Sequence, residues 1–234
     1  MRIFVGTSGF SYAPWRGSFY PEKLPAAKML AFYAERLEAV EINNTFYRMP
    51  TADALAKWAA EVPATFQFVL KSPRRITHER KLADVADSLT RLHEVAGTLG
   101  ERLGPVLFQL PPFFKKDVPR LSDFVAQLPG GMRGAVEFRH ASWFSPDVYD
   151  VLRARDVALC LAESEDLATP VEETSSWGYL RLRRQDYGDA ELAAWVERVR
   201  ARGWQSAYVF FKHEDEGKGP KLAARFRELF SSAT

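Results

Sequence analysis

Three stretches carry the same pattern: AVEIN (39–43), AVEFRH (135–140) and YLRLR (179–183). In each, apolar and polar side chains alternate, and the charged residues share one parity. Five further short apolar runs, IFV (3–5), QFVLK (67–71), VLFQL (106–110), ALCLAE (158–163) and YVFFKH (208–213), bring the strand candidates to eight, and nearly every one ends in a polar or charged residue on the same parity. Side chains alternate faces along a strand. Glu41, Asn43, Lys71, Gln109, Glu137, Arg139, Arg181, Arg183 and Lys212 therefore fall on one face. Val40, Ile42, Phe68, Leu70, Phe108, Phe138, Leu180, Leu182 and Phe211 fall on the other. The apolar face calls for a layer of helices, and the polar face calls for something polar. In a TIM (β/α)8-type barrel, polar groups gathered at the C-terminal ends of inward-facing strand positions build the active site.

Length and composition fit that α/β architecture. The chain has 234 residues, close to the roughly 250 typical of one such barrel. Its 47% hydrophobic content supports a sizeable core, so one domain over residues 1–234 is expected. No stretch approaches about 18 consecutive apolar residues, and the chain begins on a strand without the basic and apolar regions of a signal peptide. A cytoplasmic protein with no membrane partner is expected. Cys160 is the sole cysteine, which excludes an intrachain disulfide and a thiolate metal cluster, and its place in ALCLA marks it as a core residue. A net charge of +2 does not identify a nucleic-acid binder; only its distribution informs.

Between the strands the sequence reads as helix. Thr51 caps ADALAKWAAEV, Ser145 with Pro146 opens PDVYDVLRAR, and Asp189 caps AELAAWVERVRAR. Leu89, Leu92, Val95 and Ala96, and then Leu121, Phe124, Val125 and Leu128, form apolar stripes at helical spacing. Strand and helix in alternation imply a parallel sheet. The exception is DLATPVEETSS (166–176), where a central proline and a run of capping residues predict an irregular crossover. The helix after strand six should be shortened or missing.

Read in order, FVGTSGFSYAPWRGSFYP, VEINNTFYRMP, FVLKSPRRITHERKL, VLFQLPPFFKKD, AVEFRHASWF and GYLRLRR resemble the YecE-like family of barrels, domain of unknown function 72. The resemblance runs from Phe4 to about Phe230. It implies a TIM barrel with an open C-terminal cleft and no established activity. Relative to the commoner family pattern, Ala162 stands where many members carry Asp at the end of strand six. Arg183 and Arg184 replace His-Gly, and Lys212 and His213 replace an Asn pair.

Glu41 and Glu137, on strands two and five, face each other across such a barrel and are the candidate catalytic residues. Paired carboxylates serve glycosidases at about 5 to 9.5 Å, and aromatics in the rim loops (Tyr12, Trp15, Phe46, Tyr47, Trp143) suit a sugar. Equally, each Glu is able to neutralise a buried cation, because buried charges are normally paired. Both readings stand. Cations concentrate at strand ends and in the loops that follow, so the predicted mouth is basic. Lys71, Arg139 and Arg181, on strands and inward, are candidate anion clamps. Lys115, Lys116, Arg74 and Arg75 read as solvated rim charges. Asn43, Tyr47, His78, Gln109, Trp143, Arg183 and Lys212 complete the candidate substrate-binding set.

Among the four histidines none has a recognised ligand spacing, so no metal ligands are assigned. A single divalent ion on Glu41, Glu137 and Glu163 stays open, and no nucleotide cofactor is expected. His78, after Thr77, is placed either over the mouth or in a helix-start hydrogen bond. GTSGF lacks a Walker lysine and a following helix, and its glycines admit either an anion or a plain turn. Pro111 and Pro112, after Gln109, end the strand or stiffen it through a cis peptide. There is no GxSxG elbow.

These features converge on a small anionic, sugar-phosphate-like substrate, with nucleic acid as an open partner class and phosphoester hydrolysis as the leading chemistry. The competing chemistries are a glycosidase using the Glu pair, a sugar-phosphate isomerase or lyase using Lys71, and a non-catalytic ligand- or nucleic-acid-binding barrel. A lyase needs a neutral, desolvated lysine, which the neighbouring guanidinium groups are expected to oppose.

Overall fold

The computed structural model describes residues 1–164, 168–212 and 216–232. Its strands are β1 (Arg2–Ser8), β2 (Ala39–Ile42), β3 (Gln67–Lys71), β4 (Leu103–Gln109), β5 (Gly134–Glu137), β6 (Ala158–Glu163), β7 (Trp177–Leu182) and β8 (Ser206–Phe211). They are parallel and close in sequential order into a barrel, sealed where β1 pairs with β8 from Arg2 opposite Ser206 to Thr7 opposite Phe211. The helices are α1 (Met29–Ala34), α2 (Ala52–Ala60), α3 (Ala86–Ala96), α4 (Val118–Ala126), α5 (Pro146–Arg153), α6 (Asp189–Arg200) and α7 (Lys218–Ser232). Among the described residues one follows every strand except β6. Among the described residues no helix is long and apolar enough to cross a membrane.

The parity of the strands decides which side chains meet which layer. Val40, Ile42, Phe68, Leu70, Phe108, Phe138, Leu180, Leu182, Val209 and Phe211 are buried together with the helical stripes of α3 (Leu89, Leu92, Ala96) and α4 (Leu121, Phe124, Val125). A second apolar cluster fills the barrel itself, including Phe4, Val69, Leu107, Cys160, Trp177, Tyr179, Tyr208 and Phe210. Phe4 stacks on Tyr208 with ring centroids 4.7 Å apart. The barrel is thus plugged by packed side chains, as the fold requires, and only the layer above the plug is free to be polar. Cys160 lies within the plug, where burial pushes its thiol well above the ordinary value.

Local signals act mostly as their chemistry dictates. Thr51 accepts a hydrogen bond from the Ala54 N–H at 3.2 Å, capping α2, and Pro146 opens α5. At α6 the cap lies one residue earlier than expected. Gly188 occupies the capping position and its N–H donates to the Glu191 carboxylate at 2.9 Å, while Asp189 instead pairs with Arg225 at 2.6 Å. GTSGF is a strand end and a turn. β1 runs on through Ser8, and a Cβ at Gly6 would stand 1.8 Å from the Ala39 carbonyl oxygen of β2. Gly9 turns the chain with φ +98°, a conformation that glycine adopts without a steric penalty. No cis peptide occurs among the described residues, so Pro111 and Pro112 end β4 in the trans form.

The crossover from β6 to β7 contains no helix in residues 168–176; Asp166 and Leu167, also in the expected loop, lie outside the described residues. Two threonines take over part of the pairing a helix cannot supply. Thr174 Oγ1 donates to the Val157 carbonyl at 2.8 Å and accepts from the Leu159 N–H at 2.7 Å. Thr169 accepts from the Ala162 N–H at 3.2 Å and returns its own N–H to the Ala162 carbonyl at 3.0 Å.

Candidate functional site

Each strand that ends in a polar inward residue delivers it to the layer above the aromatic plug. The centre of that layer is Arg181, on β7. Its Nη1 donates to Glu137 Oε2 at 2.6 Å and its Nη2 to Glu41 Oε1 at 2.7 Å, so one guanidinium spans the carboxylates of β5 and β2. Glu41 is further held by Tyr179 Oη at 2.6 Å, Ser8 Oγ at 2.8 Å and Asn43 Nδ2 at 3.3 Å. Glu137 also pairs with Arg139 and lies 4.0 Å from Arg183 Nη1. Lys71 Nζ donates to Gln109 Oε1 at 2.8 Å and rests 4.4 Å from the centre of the Phe46 ring.

Exposure divides this network into two layers. The side chains of Glu41 and Glu137 are 0% exposed and that of Arg181 is 3%, whereas Arg183 is 19% and Arg139 is 23% exposed. Lys71 and Gln109 are likewise only partly buried. The floor is an Arg with two carboxylates. Above it stand Lys71, Arg139 and Arg183, and of these Arg183 is the least satisfied: its contact with Glu137 is long, and its Nε has no hydrogen-bond partner. Among the described residues of this network four cations stand against two carboxylates, and three of those cations, Lys71, Arg139 and Arg183, lie above the floor.

The protonation states follow from this layering. Burial alone would raise the carboxyl of Glu41, but the charge of Arg181 and the hydrogen bonds from Tyr179, Ser8 and Arg181 outweigh it and hold the group below the usual range. Burial likewise works against ionised Glu137, and Arg181, Arg139 and Arg183 overcome it. Burial would depress Arg181, and Glu41 and Glu137 more than reverse that. Lys71 behaves differently. Burial, with Arg181 as the next cause, lowers it to about 8, despite the partial opposition of Glu137 and Glu41. The guanidinium groups therefore favour the neutral amine, because like charges destabilise the ammonium. That reverses the sequence-based expectation that they would oppose a neutral lysine. His78 is also lowered, by burial and by the charges of Lys71 and Arg74.

Several predicted site residues are placed elsewhere. Trp143 is buried in the helix layer, stacked on Phe138 at 4.7 Å with its indole N–H donating to the Phe114 carbonyl at 2.7 Å, so it is not a mouth residue. Trp15 is buried as well. Arg181, a candidate anion clamp by sequence, lies in the floor with both terminal nitrogens engaged, and the partly exposed guanidinium groups are those of Arg139 and Arg183. Tyr47 is 76% exposed at the rim. His78 packs edge-on to Phe46 at 4.8 Å, with Nδ1 hydrogen-bonded to Thr77 Oγ1 at 2.9 Å. Lys212 follows β8 partly buried, and His213 lies outside the described residues. Rim charges are spent locally: Lys116 pairs with Asp147 and Arg74 with Glu79, both at 3.0 Å.

A divalent ion on Glu41, Glu137 and Glu163 does not fit. Glu163 turns to the helix layer, where it accepts from the Trp195 indole at 3.0 Å, and the other two carboxylates are taken by Arg181. Among the described residues no three His, Cys, Asp or Glu side chains are grouped to hold a metal. Sequence reasoning missed Ser8 and Tyr179. Tyr179 has the parity of Arg181 and was legible on that ground; Ser8 was hidden because β1 runs three residues beyond IFV. The loops after β1 and β2 with Trp58 of α2 line a cleft of ≈ 150 Å³ with Gly9, Tyr12, Ile42 and Asn43, and Asn43, through its bond to Glu41, joins it to the network.

Fold and site together define a (β/α)8 barrel whose C-terminal mouth carries a buried, ion-paired floor beneath a partly exposed cationic layer. The chain belongs to the family described as "Protein of unknown function DUF72", which it matches over residues 4–234. It is similar to the UPF0759 protein YunF of Bacillus subtilis (strain 168), with 31% identity over 156 residues, 63% of this chain and 54% of that protein. It is similar also to the UPF0759 protein YecE of Escherichia coli (strain K12), with 32% identity over 144 residues, 61% of this chain and 50% of that protein. The chain thus spans about half the length of the curated relatives it matches. A solved DUF72 family protein from Thermotoga maritima MSB8 has the same fold, with a TM-score of 0.85 and 26% identity, covering 99% of this chain and all of that one.

Proposed function

We propose that the barrel mouth binds a small anionic molecule of the sugar-phosphate type, with Arg139, Arg183 and Lys71 receiving the anion and the cleft beside Asn43 receiving the uncharged part. The observation that carries this reading is that, among the described residues of the network, four cations stand against two carboxylates, with three of the cations in the partly exposed layer above the floor. A guanidinium with an unmatched N–H, held in a partly dry site, gains most from a bidentate phosphate or carboxylate.

The same geometry weighs against the glycosidase reading, since Arg181 occupies the space between the carboxylates where a glycosidic bond would have to lie. Nor do Glu41 and Glu137 suit general acid or base work, because both are held ionised by hydrogen bonds that a proton would break. Phosphoester hydrolysis is kept as a second reading on account of His78. Its imidazole is biased to the neutral form and shares the Phe46 ring with Lys71, so it is suited to take a proton from water beside a bound phosphate.

Calorimetric titration with ribose 5-phosphate and with inorganic phosphate tests the binding. Arg139→Ala and Arg183→Ala should each weaken affinity about tenfold or more, as loss of a charge-assisted pair requires. Affinity unchanged in both variants would overturn the reading. A single-stranded oligonucleotide, titrated separately, tells whether the same cations serve a polymer backbone, and phosphate release from a panel of monoesters, lost in His78→Ala, tests hydrolysis.

A further inference from the structure

Lys71 has a setting that anion binding alone does not account for. Its amine donates its one protein hydrogen bond to a neutral acceptor, Gln109 Oε1 at 2.8 Å, and it lies over the face of Phe46. Among the described residues no carboxylate comes within ion-pairing distance of it, in contrast to Lys116, which pairs with Asp147. The charged groups around it are Arg181 from β7, Glu137 from β5, Glu41 from β2, Arg139 beyond β5, and His78 from the turn after β3. Both carboxylates are engaged by guanidinium groups and neither pairs with Lys71, while burial, with Arg181 as the next cause, works against its charge. A lysine that only had to hold an anion would serve best as a fixed ammonium. This one is placed so that its charge is disfavoured, which is the arrangement that activates an amine as a nucleophile.

We propose that Lys71 is a carbonyl-reactive amine that forms a Schiff base with the aldehyde or ketone carbon of an anionic carbonyl compound, of the phosphorylated aldose or ketose class. The uncharged Nζ adds its electron pair to the carbonyl carbon, forming the C–N bond, while the carbonyl oxygen takes up a proton. The C–O bond then breaks, the oxygen leaves as water with a second proton, and the nitrogen gives up its protons as the C=N bond forms. Amine plus carbonyl yields imine plus water, with nothing oxidised or reduced. This inference rests on the proposed anion site for its choice of substrate: Arg139 and Arg183 hold the phosphate while Lys71 engages the carbonyl.

The test is reductive trapping on the full chain. Protein is incubated with glyceraldehyde 3-phosphate or with uncharged glyceraldehyde, reduced with cyanoborohydride, and mapped by peptide mass spectrometry. At about neutral pH, Lys71 should be labelled at least about tenfold more than exposed lysines such as Lys57 or Lys115, because a lower pKa leaves far more of it uncharged. Its labelling should level off above about pH 8, while that of the exposed lysines keeps rising towards their ordinary range near 10.4. Inorganic phosphate should protect Lys71 from the phosphorylated probe, and Lys71→Arg should abolish the dominant adduct while leaving the melting curve intact. Labelling of Lys71 no greater than that of Lys57 would overturn the proposal; if phosphate still binds in titration, the anion site survives that failure. Preferential labelling of Lys71 by both probes alike, with no protection by phosphate, would instead uphold the amine and remove the anion site.

Discussion

Arg181 determines what every other residue of the mouth is able to do. With its two terminal nitrogens on Glu137 and Glu41 at 2.6 and 2.7 Å, it ties two potential acid/base groups into an ion-paired floor, and Glu137 then serves Arg139 as well, so that Arg183 and Lys71 above have no close carboxylate among the described residues. Breaking a buried pair by removing one partner costs about 3 to 5 kcal/mol, because the other charge stays buried. Arg181→Met, which strands two carboxylates, should therefore lower the unfolding free energy by at least that amount in urea or guanidinium titrations. Glu137→Gln should fall at the lower end, since Arg139 and Arg183 retain access to water. A loss below about 1 kcal/mol for Arg181→Met would mean that the carboxylates find other partners or protonate readily. The sequence placed Glu41, Glu137, Arg139 and Arg181 together but left ion pair against acid/base pair undecided. Parity says which face a side chain takes and nothing about which neighbour it meets.

At the scale of elements, the crossover between β6 and β7 departs from the repeating strand-helix unit, and its stability depends on side chains rather than on a helix. The buried hydroxyl of Thr174 satisfies both the Val157 carbonyl and the Leu159 N–H. Thr174→Val keeps the shape and removes both partners, so it should cost about 1 to 3 kcal/mol, the penalty for leaving buried backbone groups unmet. Hydrogen exchange should show faster exchange of the Leu159 amide specifically, and an unchanged rate there would contradict the assignment. The irregular course of residues 168–176 was legible from the central proline and the capping residues there. The role of Thr174 was not, because a threonine in a loop has the same sequence signature whether its hydroxyl points to water or back into the sheet. The misplaced cap at α6 has a similar origin: both Gly188 and Asp189 are acceptable capping residues, and the ion pair of Asp189 with Arg225 of α7 decided between them.

For the whole molecule, the layered charges predict how stability follows pH. Glu41 and Glu137 have folded-state values below their ordinary ones. Their contribution is therefore complete above the unfolded carboxylate range, near about 4.3, and is lost as pH falls through the lower folded values. Acid unfolding should accordingly be shallower in Glu137→Gln than in the parent chain. Lys71 acts with the opposite geometry. Its folded value of about 8 lies below the unfolded one, so between the two the unfolded chain binds more protons and stability from this group rises with pH. Comparing Lys71→Met with the parent by thermal melts isolates that term. The variant should be favoured at neutral pH, and its advantage should shrink by about pH 10. An advantage that stays constant with pH would show that Lys71 titrates normally.

The alternation within eight short segments determined, from sequence alone, the strand count and which side chains face inward, because strand geometry fixes a period of two and leaves no choice of face once one face must be buried; the helices between them determined that the sheet is parallel. Closure of the barrel decided the rest. Only closure brings Tyr179 and Arg181 of β7 against Glu41 of β2, residues far apart in the chain, and sets Lys71 among cations instead of beside a carboxylate. Burial and distance are properties of three-dimensional neighbours, and they alone turn inward-facing charges into an ion-paired floor beneath a cationic layer.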